Sequence, residues 1–216
     1  MPLARDARLA VGLLRKALAT RRARTDLRRA LAERGPLPRN RFRIAVYFAD
    51  GPVNMYQIRQ WYAPLQELAR EWPVVVIARA IRGADALLRD DALPVAYAPT
   101  VRDVEQVLDE QDIRIVFYVN QNTRNFQMFR YGRRWHVFIN HGESDKMYMT
   151  TNQFTAYDYA FVAGEAARAR LSRTLWYYDL DRRTFSIGRP QADHYSGDLP
   201  YTPDDRRVVL YAPTWE

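Results

Sequence analysis

A series of short apolar runs, interleaved with segments of helical period, constrains this chain more than any other feature. Arg43–Phe48, Val74–Ala78, Leu93–Tyr97, Ile113–Val119 and Val137–Ile139 are rich in β-branched and aromatic residues. None alternates apolar with polar positions, so each reads as a strand covered on both faces, as in a parallel sheet. Tyr56–Arg70 places Ile58, Trp61, Tyr62, Leu65, Leu68 and Ala69 on one face, and Val101–Glu110 does the same with Val101, Val104, Val107 and Leu108. Ala163–Leu171 reads as a further helix. Strands joined by helices predict a Rossmann-like layered α/β fold with right-handed crossovers. At 216 residues and 48% hydrophobic, the chain can bury one substantial core.

Several function classes fall away on composition. With no cysteine, disulfides and thiol catalysis are excluded, and three histidines scattered at 136, 141 and 194 make no metal site. The turn Asp50-Gly51-Pro52-Val53-Asn54 after the first strand lacks the glycine spacing of dinucleotide-binding loops, and no phosphate-binding P-loop occurs. No cofactor is therefore expected. No run reaches the roughly 18 apolar residues of a membrane span, and no signal core is present.

Charge is concentrated at one end. Residues 1–43 hold 13 Lys/Arg against Asp6, Asp26 and Glu33, a net of +10 in a chain of net +8, so the remainder is slightly acidic. Leu3, Ala7, Ala10, Leu14, Ala17 and Leu18 recur at helical spacing, as do Leu27 and Leu31, until Gly35-Pro36 and Pro38 stop the pattern. A basic amphipathic helix of this kind suits an anionic membrane surface through residues 1–34. The same helix also suits packing on the body of the protein. Nucleic acid is not expected, because the tail carries no aromatic residue and no binding motif follows it.

The run Trp135-His136-Val137-Phe138-Ile139-Asn140 ends in His141-Gly142-Glu143-Ser144-Asp145-Lys146. The carboxyl edge of a parallel sheet is where such folds bind ligands, and a histidine there can take a proton near neutral pH. Gly142 permits close backbone approach, Ser144 offers a hydroxyl, and Lys146 a charge suited to phosphate. Spacing alone fits a solvated strand-to-helix turn equally well. Asn120-Gln121-Asn122-Thr123-Arg124-Asn125 follows the fourth strand with a dense set of amides, and Asn120 and Asn122 can orient hydroxyls or phosphates; local Asx turns explain such a cluster too.

The His-Gly segment resembles the motif of the CDP-glycerol glycerophosphotransferase family, the teichoic-acid primases and polymerases. Three further stretches agree in order: Tyr157-Asp158-Tyr159-Ala160-Phe161-Val162-Ala163-Gly164, Ile187-Gly188-Arg189-Pro190-Gln191-Ala192-Asp193, and Val208-Val209-Leu210-Tyr211-Ala212-Pro213-Thr214-Trp215. The resemblance implies the Rossmann-like N-terminal domain of a two-domain GT-B type transferase, spanning residues 41–206 behind a tail of residues 1–40. Residues 207–216 would then be the first strand of a C-terminal nucleotide-binding domain that this chain lacks. The implied reaction moves glycerol phosphate from CDP-glycerol to a lipid-linked polyol-phosphate acceptor with release of CMP, in the cytoplasm at the inner face of the membrane. His141 would be catalytic; Gly142, Ser144, Lys146, Asn120, Asn122, Arg189 and Asp193 would bind substrate, Arg189 and Asp193 by fixing the crevice between domains. The fragment itself would be inactive, with CDP-glycerol bound through the missing half. Glu143-Ser144-Asp145 stands where the family commonly has threonine and proline, which leaves the acceptor open. A nucleotide-sugar glycosyltransferase of the same architecture and a non-catalytic module that binds membranes or a partner remain the alternatives.

Overall fold

A computed structural model describes residues 2–143, 150–194, 197, 207, 209 and 211, with backbone alone for 2–10 and 13. Seven parallel strands form one sheet in the order β3-β2-β1-β4-β5-β6-β7: β1 Ile44–Phe48, β2 Val74–Ala78, β3 Val95–Tyr97, β4 Ile115–Tyr118, β5 Trp135–Phe138, β6 Tyr159–Val162 and β7 Thr184–Ser186. β1 and β2 are buried at every position, as their unbroken Val/Ile/Ala/aromatic runs require of strands covered on both faces. Alternate residues of each strand feed two cores. One holds Val46, Phe48, Val76 and Val119 and is closed by helices α2 (Met55–Arg59), α3 (Tyr62–Leu68) and α4 (Ile81–Asp90), through Ile58, Leu65 and Leu87. The other holds Tyr47, Ile77, Val116 and Phe138, closed by α5 (Val101–Glu110) and α6 (Glu165–Thr174) through Val104, Leu108, Ala167 and Leu171. The chain is thus a Rossmann-like α/β protein.

β1 to β5 and α5 lie close to where the sequence places them, and α5 is capped as its first turn demands. The Thr100 hydroxyl accepts from the Asp103 N–H at 3.2 Å, and Asp103 Oδ2 accepts from the Thr100 N–H at 2.8 Å. Tyr56–Arg70, expected as one helix, breaks at Gln60–Trp61 into α2 and α3. Pro64 explains the break: it has no N–H to offer the Gln60 carbonyl, and its ring crowds that carbonyl. α4 had no counterpart in the sequence reading. Its buried side is mostly small, Gly83, Ala84, Asp85 and Ala86, with Leu87 as the one large apolar residue among them. Small residues fit there because α4 is sandwiched between the sheet and the long α1 (Pro2–Arg34), with which it makes extensive contact. The short β7, α7 (Leu180–Arg183) and α8 (Pro190–Asp193) were likewise unanticipated, each spanning too few residues to show a period.

α1 divides in two along its length. Ala23 and Leu27 are buried against the body, and Arg34 donates to the carbonyl of Val95, the first residue of β3. Val11, Leu14 and Leu18 are instead exposed. Gly35, at φ +74°, returns its N–H to the Leu31 carbonyl and ends the helix where Gly35-Pro36 predicts. Among the described residues, no helix is long and apolar enough to cross a membrane.

Candidate functional site at the carboxyl edge of the sheet

The strand order reverses direction between β1 and β4: successive strands move outward one way from β1 to β3 and the other way from β4 to β7. At such a switch point neighbouring loops diverge, and the gap above the strand ends becomes a crevice. A cavity of about 340 Å³ occupies it. Asp50 enters from the turn after β1, Asn120 and Asn122 from the turn after β4, His141 from the end of β5, and Tyr56 and Gln57 from α2.

His141 is held in one orientation. Its Nδ1 lies 2.9 Å from the Val119 carbonyl oxygen, which can only accept, so Nδ1 carries the proton and Nε2 keeps its lone pair. Nε2 has no hydrogen-bond partner among the described residues. The Tyr56 ring stands edge-on to the imidazole at 5.7 Å. Burial pushes the His141 pKa below the usual histidine value, while the Val119 carbonyl and the Asp50 carboxylate pull the other way without reversing it. A neutral imidazole with a free Nε2 is the form a general base needs.

The preceding residue sets this geometry. Asn140 takes a left-handed φ of +58°, which asparagine tolerates better than other non-glycine residues. Its side-chain oxygen accepts from the His141 N–H at 2.8 Å, and its carbonyl accepts from the Trp61 indole N–H. Trp61, expected only as core, therefore also clamps the corner that aims His141.

Asp50 organises the opposite wall. Its Oδ1 accepts from Asn54 at 2.7 Å, and its Oδ2 accepts from Asn120 at 2.7 Å and Asn122 at 2.9 Å. The second Asn120 amide hydrogen goes to Gln57 Oε1 at 2.6 Å. Asn122 Oδ1 accepts from the Arg124 N–H at 2.8 Å, a local Asx turn, while Asn120 and Asn122 also line the cavity. Buried Asn125 fixes the turn from beneath, donating to the Asn120 carbonyl at 2.7 Å and to the Tyr157 hydroxyl at 2.9 Å. Burial pushes that hydroxyl up to about 12, so it stays neutral and able to accept.

His141, Asn120 and Asn122 are thus brought to one cavity. Gly142 faces a neighbouring, smaller recess with Arg189, whose guanidinium lies about 4.0 Å from where a Gly142 Cβ would stand. Asp193 is exposed in α8 and lines neither space. Ser144 and Lys146 lie outside the described residues, as do the Ala212-Pro213-Thr214-Trp215 end of the last motif and most of 207–216. Glu143 has a structural use: its carboxylate accepts from the Ala163 N–H at 2.8 Å and from Arg170 at 3.2 Å, tying the His-Gly loop to the start of α6. The Glu143 carboxylate is therefore paired. His136 is a core residue, accepting from the Tyr118 hydroxyl at 2.7 Å through Nδ1 and placing Nε2–H 3.2 Å from the Tyr131 carbonyl. Among the described residues, no three potential metal ligands cluster.

Sequence reasoning missed Asp50, Asn54, Tyr56, Gln57 and Asn140. The usable signal for Asp50 was its position, an acidic residue just past the first buried strand and hence on the same edge as Asn120 and His141. Comparisons with protein-family models, curated proteins and solved structures found no match for this chain.

Proposed function

We propose that this chain is the acceptor-binding, Rossmann-like domain of a GT-B type glycerophosphotransferase that transfers glycerol phosphate from CDP-glycerol to a lipid-linked polyol phosphate. The observation that carries the reading is the free Nε2 of a neutral, oriented His141 opening into a polar cavity at the switch point of the sheet. The motif resemblance over residues 137–215 supplies the reaction. An acceptor hydroxyl gives its proton to His141 Nε2 as its oxygen attacks the phosphorus that bears glycerol. The new oxygen–phosphorus bond forms, the bond to the bridging oxygen of CMP breaks, and CMP leaves. Positioning and charge placement dominate phosphoryl transfer, which suits a site built from fixed amides around one base. Gly142 and Arg189 in the adjacent recess and Lys146 and Ser144 beyond His141 are the groups we assign to phosphate; Asp193 we assign to the crevice between domains.

We place the enzyme on the cytoplasmic face of the membrane through residues 1–34. What supports this is the outer half of α1, where exposed Val11, Leu14 and Leu18 stand among Arg15, Lys16, Arg21 and Arg22. The test of the reaction is His141→Ala in the full-length enzyme, with CMP release followed from CDP-glycerol and a lipid-linked acceptor. Loss of the base should lower the rate roughly 100-fold or more. Activity within about threefold of the parent overturns the assignment.

A further inference from the structure

The wall facing His141 has a chemical bias that the transferase reading does not by itself require. Among the described residues lining the cavity there is no lysine or arginine, and the one charged side chain is Asp50. The amide orientations follow from it, because a carboxylate only accepts. Both Asn120 amide hydrogens are spent, one on Asp50 and one on Gln57, so its remaining polar atom, Oδ1, is an acceptor. Gln57 Nε2 gives one of its two hydrogens to the Tyr56 hydroxyl at 3.2 Å. The ligand therefore meets acceptors in the Asp50 carboxylate, Asn120 Oδ1 and His141 Nε2, and donors in Gln121 Nε2 and in the second amide hydrogens of Asn122 and Gln57. A hydroxyl both donates and accepts, so adjacent hydroxyl groups match this mixed wall without charge. A phosphate offers almost only acceptors and carries negative charge toward Asp50.

We propose that Asp50 makes this cavity a polyol site: it admits the uncharged, hydroxyl-bearing end of the acceptor and disfavours a free phosphate in the acceptor's place. Asp50 is a positioning and specificity-determining residue, acting through Asn120 and Asn122, which it holds with their amide groups turned toward itself. The acceptor's phosphates are consequently left to groups outside this lining. The proposal rests on the transferase reading only for the identity of the reaction, because hydroxyl recognition is measurable without any transfer.

The experiment uses the full chain with isotope-labelled histidine and follows the His141 ring resonance, assigned with His141→Gln. Glycerol and inorganic phosphate are the probes, compared at matched ionic strength and pH 7.5. Glycerol should shift the His141 resonance saturably and phosphate should leave it in place. Asp50→Asn removes the charge and converts an acceptor into a mixed donor and acceptor. It should weaken glycerol by roughly tenfold or more and let phosphate perturb the ring. A wild-type resonance that responds to phosphate and not to glycerol overturns the proposal. So does a folded Asp50→Asn chain with glycerol affinity within about threefold of wild type. If Asp50→Asn does not fold, the wild-type comparison decides alone. Absence of CMP release by the full-length enzyme alongside intact glycerol selectivity removes the transferase reading and leaves the polyol site standing.

Discussion

Gly83→Ala tests whether α4 holds the Asp50 turn in place. In the interior of a helix this change ordinarily stabilises by about 1 kcal/mol, because alanine gives up less backbone freedom on folding. Here an added Cβ would lie 2.2 Å from the Asp50 carbonyl oxygen, 3.3 Å from its carbon and 3.7 Å from the Gly51 Cα. Carbon and oxygen need about a further 1 Å, and both sides of the contact are backbone, so no side chain can rotate away. Overpacking of this kind costs roughly 1–3 kcal/mol. A turn displaced by that much also stretches the 2.7 and 2.9 Å bonds from Asn120 and Asn122 to Asp50, and charge-assisted bonds contribute about 1.5–3 kcal/mol each. Even partial loss outweighs the helical gain, leaving a net destabilisation of about 2–3 kcal/mol. For a chain of this size that lowers Tm by roughly 4–12 °C. Gly12→Ala in α1, with nothing within 4 Å of its added Cβ, is the matched control and should be neutral or slightly stabilising. Thermal unfolding of both variants, with the Asn120 and Asn122 side-chain amides read by NMR, decides the matter. A Gly83→Ala chain as stable as its parent, with those amides unmoved, refutes the claim that α4 buttresses the site.

Two further outcomes follow from the buried histidines and from α1. Burial lowers the pKa of both His136 and His141, so the unfolded chain takes up protons first as pH falls through about 6.5. The stability they contribute is fully present above that value and is lost as pH drops toward their folded pKa values; denaturation midpoints should decline from pH 7.5 to 5.5, and less steeply in a His136→Gln/His141→Gln chain. A parent and double variant with equal pH slopes would show the histidines do not govern this window. For membrane binding, removing residues 1–34 outright would also strip Leu27 and Ala23 from the core, so neutralising Arg15, Lys16 and Arg21 to Gln is the cleaner change. Each basic residue contributes at most about 1 kcal/mol at an anionic surface, and co-sedimentation with anionic vesicles should weaken severalfold and fall with salt; unchanged binding, or equal binding to neutral vesicles, counts against the membrane role.

The layered architecture was readable because parallel strands buried on both faces leave unbroken apolar runs, as in Val74–Ala78, which the structure reproduces residue for residue. The gaps in that reading have different causes. Small residues under α1 leave α4 with few large buried positions, and Pro64 divides an otherwise regular apolar face at Gln60–Trp61. At the site, the sequence reading picked His141, Asn120 and Asn122 as single strand-end residues, and the fold brings these three to one cavity. Arg189 and Asp193 were placed by motif order instead of strand register, and they lie in a neighbouring recess and on an exposed helix.

Asp50 shows how topology supplies what local pattern cannot. Viewed along the chain it sits in a turn with no recognised phosphate-binding spacing, 70 residues from Asn120 and farther from His141. The order 3-2-1-4-5 places β1 beside β4 and β4 beside β5, so the residues just past these three strands converge on one crevice whatever their separation in sequence. A carboxylate at that point turns every amide it touches toward itself as a donor, and it adds a negative charge that no lysine or arginine of the described lining offsets. The preference of the cavity for hydroxyls over phosphate is therefore a consequence of strand order acting on one acidic residue, and it would vanish if the same aspartate followed β3 at the sheet's edge.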